Sequence, residues 1–284
     1  MDQRLIDLFD RFTHGGMSRR TFLERLTLAA GSTAAASAAL AVLENDYARA
    51  ETVPADDPGL KSDLFVVTPV KGLQGYLVGP KAGGRRPGIL VIHENRGLNP
   101  HIRDVARRVA KAGYLAFAPD FLSPLGGTPT DPDKARDMFG QLKTDEVVAW
   151  AVACRQALAR QRNCTGRIGA VGFCWGGGTV NELAAADPDL RAGVAYYGRQ
   201  IPAEKVRTVK APLMLHYAGL DERINAGIPA FEAALKAEKK TYEIHVYPGV
   251  NHAFNNDANA ARYDKAAADL AWSRTLGWFD RHLK

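Results

Sequence analysis

Cys174 lies in Gly172-Phe173-Cys174-Trp175-Gly176, a G-x-C-x-G stretch that can present a thiol as a nucleophile. The apolar residues before it read as a short buried strand, and residues 179–186 have good helix-forming content. Strand, sharp turn and helix therefore meet at the cysteine. Such a turn strains its central residue, and Gly172 and Gly176 have no Cβ to clash. The thiol then projects above the sheet and the Trp175 N–H faces a reacting carbonyl, with the positive helix end beneath. Taken alone, the pattern fits a buried structural cysteine equally well.

A free thiol has a pKa of about 8.5, so a cysteine nucleophile needs a base, and the base an orienting carboxylate. Gly219-Leu220-Asp221-Glu222-Arg223 follows an apolar strand and offers Asp221, with Glu222 as competitor. Pro248-Gly249-Val250-Asn251-His252-Ala253-Phe254 follows the last strand and offers His252 as base. Singly, a turn aspartate and a loop histidine mean little. Their order gives them weight: Cys174, Asp221, His252, each just beyond a strand. A third loop, His93-Glu94-Asn95-Arg96-Gly97, leaves another apolar strand. It offers the backbone N–H of Asn95 as second oxyanion donor and sets Glu94 facing the cysteine turn.

These loops need a scaffold that alternates strands with helices. Residues 64–68 and 73–78 are apolar runs joined by Pro69-Val70-Lys71-Gly72, which predicts an antiparallel hairpin. Further strands are expected at 88–92, 114–118, 192–197, 213–217 and 242–247. Helices are expected over 100–112, 133–142, 145–161, 228–239 and 258–283, with an irregular Pro/Gly/Thr-rich loop at 121–131. The pattern implies an α/β domain over 61–284, its sheet mostly parallel with an antiparallel start and helices on both faces.

On these residues the chain resembles the dienelactone hydrolase (carboxymethylenebutenolidase) family of the α/β-hydrolase fold. The resemblance runs from about residue 60 to 284. It is carried by Glu94-Asn95-Arg96-Gly97-Leu98-Asn99-Pro100-His101-Ile102-Arg103-Asp104, Gly113-Tyr114, Pro119-Asp120, the cysteine turn, Tyr196-Tyr197-Gly198 and the Asp221 and His252 loops. It implies a triad of Cys174, Asp221 and His252, with Glu94 meeting the resting thiol until substrate displaces it. It also implies the N–H groups of Trp175 and Asn95 as oxyanion donors. The family carries an arginine shortly after the triad histidine to grip a substrate carboxylate; here that place is Asn256. A second family arginine falls in the segment equivalent to 131–142, where this chain has Arg136. Asparagine forms no bidentate ion pair, so a different or broader ester or lactone substrate is expected at least as readily as an anionic dienelactone.

Residues 1–50 differ from the rest. Met17-Ser18-Arg19-Arg20-Thr21-Phe22-Leu23 holds an arginine pair, residues 26–43 are alanine-rich and uncharged, and Ala48-Arg49-Ala50 ends in small residues. This is the build of a twin-arginine export signal. It predicts recognition by that export machinery, cleavage near Ala50, a periplasmic product, and a segment that adds nothing to the fold. Residues 51–60, with Pro54, Pro58 and Gly59, read as a linker.

The chain of 284 residues carries a net charge of +6, and no basic cluster is interleaved with aromatics, which speaks against nucleic-acid binding. Its three cysteines make no disulfide framework, though Cys154 and Cys164 could pair. The seven histidines show no metal-ligand spacing, so no metal or other cofactor is expected. Oligomeric state is not encoded legibly. The reading is a hydrolase of small esters or lactones acting through a thioester. A thiol-redox protein lacks the C-x-x-C it needs, and a hydrolase-fold binding protein sits poorly with three catalytic residue types in order.

Overall fold

The computed structural model describes residues 1–47 and 50–284. Its strands are β1 (Leu60–Val66), β2 (Gln74–Pro80), β3 (Arg86–Ile92), β4 (Leu115–Asp120), β5 (Cys164–Phe173), β6 (Ala192–Tyr196), β7 (Leu213–Ala218) and β8 (Tyr242–Tyr247). They form one sheet in the order β1-β2-β4-β3-β5-β6-β7-β8. β1 with β2 and β2 with β4 run antiparallel, and the other neighbours are parallel. The expected sheet and its antiparallel start are both present.

Helices are α1 (Gln3–Thr13), α2 (Arg19–Ala30), α3 (Thr33–Leu43), α4 (Pro100–Lys111), α5 (Pro132–Phe139), α6 (Thr144–Ala159), α7 (Trp175–Ala186), α8 (Glu222–Asn225), α9 (Ile228–Ala237) and α10 (Lys265–Leu283). Successive strand residues point to opposite faces. Ile89 and Val91 pack toward α4 and α10, against Ile102, Val105, Val109, Trp278 and Phe279. Leu90 and Ile92 pack toward α6, α7 and α9, against Val147, Leu158, Leu183 and Leu235. An unbroken apolar strand is thus what a sheet covered on both faces requires.

The first strand runs over Leu60–Val66 rather than 64–68, and the helix expected to 142 ends at Phe139; two further elements differ more. The last helix begins at Lys265 rather than 258. Asn256 and Asn259 turn the chain first: their side-chain oxygens accept from the N–H groups of Ala258 and Arg262 at 3.0 and 3.2 Å. Asp264 then caps the helix by accepting from Ala267 N at 2.9 Å. Side chains that hydrogen-bond their own backbone compete with helix in this way.

The N-terminal segment differs more. It forms three helices with a small core of Ile6, Phe9, Phe12, Phe22, Leu26 and Leu43, with Phe12 and Phe22 stacked at 4.4 Å. The apolar run expected at 26–43 is broken at Gly31, which ends α2 at φ 83, and at Ser32, whose hydroxyl caps α3. α2 and α3 meet at 114°, and among the described residues no single helix is long and apolar enough to cross a membrane. The expectation that this segment adds nothing to the fold is corrected: it docks on the α/β domain. Asn259 Nδ2 donates to Leu43 O at 2.5 Å, and Asp46 N to Ala258 O at 2.7 Å. Residues 50–53 are also pinned. Thr52 N and Val53 N donate to the Asp104 carboxylate at 3.1 and 2.7 Å, and Arg108 Nη2 donates to Ala50 O at 3.2 Å. Of the expected cleavage motif, Ala48 and Arg49 lie outside the described residues.

Candidate active site

Cys174 joins β5 to α7 with φ 53 and ψ −113, a conformation that side-chain-bearing residues rarely adopt. Its N–H donates to Tyr196 O at 3.0 Å and its carbonyl accepts from Gly178 N at 3.1 Å, which holds the strain in place. A Cβ on Gly172 would lie 2.1 Å from Gly176 O, and one on Gly176 2.3 Å from Ile92 O. The two glycines therefore let β5, β3 and α7 converge more closely than any side chain allows. Trp175 is the first residue of α7, so its N–H has no acceptor within the helix. Its indole stacks on His93 at 5.4 Å and meets Phe139 at 4.8 Å, walling one side of the site.

Asp221 follows β7. Its Oδ1 caps α8 by accepting from Ile224 N at 3.2 Å, while Oδ2 accepts from His252 Nδ1 at 2.5 Å. Glu222, the competitor, is exposed. Fixing the Nδ1 proton of His252 turns its Nε2 toward the cysteine. That Nε2 is buried and faces Cys174 Sγ within 4.8 Å. Cys174, Asp221 and His252 are thus brought together from three strand ends.

Glu94 and Asn95 leave β3 toward the same point. Glu94 is buried, and its Oε2 accepts from Asn256 Nδ2 at 2.9 Å. Asn256, expected at the substrate, instead sits behind Glu94 and is 1% exposed. Asn95 Nδ2 donates to the carbonyl of Thr13 at 2.7 Å. Arg136 lies on the wall of a cleft beside Cys174, paired with Asp137 at 2.8 Å and stacked over Phe12 at 4.5 Å. That cleft is about 740 Å³. Phe139, Leu142, Val147, Trp175 and Ile224 give it apolar walls, and Cys174 and His252 reach its floor.

His14, at the end of α1, was missed in the sequence. Its Nε2 lies 3.2 Å from Cys174 Sγ. Nδ1 donates to Asp10 O at 2.8 Å and lies 3.3 Å from Asp10 Oδ1. One ring nitrogen each of His14 and His252, together with Sγ, lie within 4.8 Å of one another. These are donor types that zinc accepts, and they are the grouping among the described residues that could hold a metal. The one available signal was the i, i+3, i+6 spacing of Ile6, Phe9 and Phe12, which marks α1 as a packed helix with His14 at its end.

Burial pushes the Cys174 thiol up, but the charges of His14 and His252 outweigh it and hold the thiol at about 6. Burial alone would depress both imidazoles. Beside the thiolate, His14 is instead raised to about 8 and His252 to about 10. Asp10 and Asp221 resist burial in the same way and are held below the usual carboxylate range by their histidines. The cluster favours a thiolate ringed by imidazolium. Cys154 and Cys164 are buried and free, and burial pushes both thiols up, so neither competes as a nucleophile.

The profile of the dienelactone hydrolase family matches residues 73–283. The chain belongs to that family. A protein of Methylorubrum extorquens assigned as a carboxymethylenebutenolidase is 33% identical over 288 residues, covering 94% of this chain and 96% of that protein. One from Escherichia coli O157:H7 with the same assignment is 33% identical over 236 residues, covering 77% of this chain and 86% of its own. The crystal structure of a protein from Klebsiella pneumoniae assigned as a dienelactone hydrolase superposes with a TM-score of 0.72 at 30% identity, over 78% of this chain and 99% of that one. The fold is of the α/β-hydrolase type, and this dienelactone hydrolase family member is an enzyme of the hydrolase class. A second profile, described as YqhI-like, matches residues 1–31.

Proposed function

We propose that this dienelactone hydrolase family member cleaves small carboxylic esters or lactones through a Cys174-His252-Asp221 triad and a thioester acyl-enzyme. The observation that carries the reading is the Asp221–His252 hydrogen bond of 2.5 Å beside a cysteine held at φ 53. The Cys174 thiolate adds to the carbonyl carbon, and the N–H groups of Trp175 and Asn95 take the oxyanion. Collapse breaks the C–O bond, and His252 protonates the departing alkoxide. Water, giving its proton to His252, then attacks the thioester and expels the thiolate. Each oxyanion donor is worth about 10²–10³ in turnover in such chemistry.

The apolar walls of the cleft favour an apolar acyl or alkoxy group, and Asn256, buried behind Glu94, gives no ion-pairing grip on a carboxylate next to the thiol. A panel of neutral aryl esters and lactones, turned over by the wild type and by Cys174→Ala, tests the reading. Turnover must vanish with the thiol; a fully active Cys174→Ala enzyme removes it.

Export by the twin-arginine route to the periplasm, with cleavage near Ala50, is proposed for the N-terminal segment. Arg20 in α2 stands exposed, as a receptor needs. Cell fractionation with N-terminal sequencing of the product tests this; an uncut chain confined to the cytoplasm overturns it.

A further inference from the structure

The short contact of the thiol, 3.2 Å, runs to His14 across 160 residues of sequence, and His252 of the triad faces the same sulfur. His14 has the same build as His252. Nδ1 of each is fixed by an aspartate residue, Asp10 through its carbonyl and carboxylate and Asp221 through its carboxylate. Both rings therefore turn Nε2 inward, and they meet edge to face at 4.7 Å. The segment that brings His14 is anchored on the site at several points. Thr13 O accepts from Asn95, the Phe12 ring lies under Arg136, and Asp10 lies 3.7 Å from Arg262 and 3.8 Å from Arg223. With the segment docked, the cleft of about 740 Å³ still reaches Cys174, and His14 forms part of its wall. Glu94 is already held by Asn256.

We propose that His14 is a catalytic residue of the uncut chain: its imidazole takes the proton of Cys174 and holds the resulting thiolate as an ion pair. The proposal rests on Cys174 being the nucleophile. The work of the triad histidine is then divided. The S–H proton passes to His14 Nε2 and stays there through the cycle. Sulfur forms the C–S bond as the carbonyl pair moves to oxygen. Collapse breaks the C–O bond, and the alkoxide takes its proton from His252. Water returns a proton to His252 as hydroxide adds to the thioester. The thiolate leaves to meet the same His14 cation, and the acid product gives its proton to solvent. The charged groups around the thiolate are His14 with Asp10, His252 with Asp221, buried Glu94, and Arg262 and Arg223 facing Asp10. A cut after Ala50 would carry His14 away and leave the single-imidazole enzyme.

The test uses the full chain as wild type, His14→Ala, His14→Gln and Cys174→Ala. Iodoacetamide alkylation of Cys174, read by mass spectrometry across pH, reports the thiolate directly. In both His14 variants the alkylation midpoint should move up by about one unit, because the nearest cation is gone. For a neutral aryl ester, kcat should fall on the order of tenfold or more with KM little changed, and added imidazole should restore part of it to His14→Ala. Glutamine keeps a polar side chain but carries no charge, so a packing role predicts rescue by His14→Gln and this role predicts none. Circular dichroism confirms the fold of each variant. An unmoved alkylation midpoint overturns the proposal. So does a rise in kcat/KM, which would make the segment a cover over the cleft. If Cys174→Ala keeps full turnover, the proposed function fails instead. If no ester is turned over at all, the alkylation profile alone decides on His14.

Discussion

The carboxylate of Glu94 and the carboxamide of Asn256 are joined by a buried hydrogen bond of 2.9 Å. Where the resemblance to the family implies a guanidinium, this chain places a neutral carboxamide already bonded to Glu94. An anionic acyl group placed beside Glu94 would meet its charge, with no guanidinium at position 256 to receive it. A neutral aryl ester should therefore be hydrolysed with a kcat/KM at least equal to that of its carboxylate-bearing analogue. Steady-state kinetics on the matched pair measures this, and a strong preference for the anion would refute it.

Asp221 fixes which nitrogen of His252 carries the proton. In Asp221→Asn the amide can present its own N–H to Nδ1 and select the wrong tautomer. A comparable change in a serine hydrolase costs about 10⁴ in kcat, and a loss on the order of 10³–10⁴ is expected here. The circular dichroism spectrum should not change. A loss below tenfold would show that the Asp221–His252 pair is structural.

Turnover should follow a bell-shaped pH profile. The thiol is held at about 6, so the nucleophile is lost as pH falls through that value. His252, raised to about 10, is the acid that protonates the alkoxide, so activity falls again as pH rises through that value. Between those limbs kcat/KM of the uncut chain should step down as His14, raised to about 8, loses the proton that holds the thiolate. A rising limb near 8.5, the value of a free thiol, would mean the imidazoles do not stabilise the thiolate.

Arg155 in α6 and Asp187 at the end of α7 form a buried two-point ion pair, with distances of 2.7 and 3.0 Å. It ties the two helices that cover the sheet face carrying the cysteine turn. Asp187→Ala leaves the buried guanidinium only the exposed Asp189 carboxylate at 3.4 Å, which costs up to about 3–5 kcal/mol. Urea unfolding should show the midpoint shift with little change in slope. Exchanging both residues for apolar ones should recover much of the loss.

The scaffold was readable because burial on both sheet faces writes strands as unbroken apolar runs. Tyr242–Tyr247, an edge strand that carries Glu243 and His245, has its expected bounds for another reason: Lys239-Lys240 and Pro248-Gly249 flank it. Cys174, Asp221 and His252 were readable because each follows such a run directly. The helix expected from 258 was overextended because apolar spacing does not reveal Asn256 and Asn259 bonding their own backbone. The break at Gly31-Ser32 was written in ordinary cap residues, but the alanine-rich composition on either side hid it. His14 had no local signature: its meaning lies in a docking contact with a distant turn, and residue spacing is silent about that.

Ala50 is 6% exposed, and the backbone on its far side is stitched to Asp104, Arg107 and Arg108. Proteases bind their substrates as extended strands, so a peptidase acting there must first peel this seam from α4. For the cleavage proposed near Ala50, the rate would follow how often the seam opens, not how well the local motif is recognised. Under that proposal the clasp on α4 would set the lifetime of the two-imidazole form.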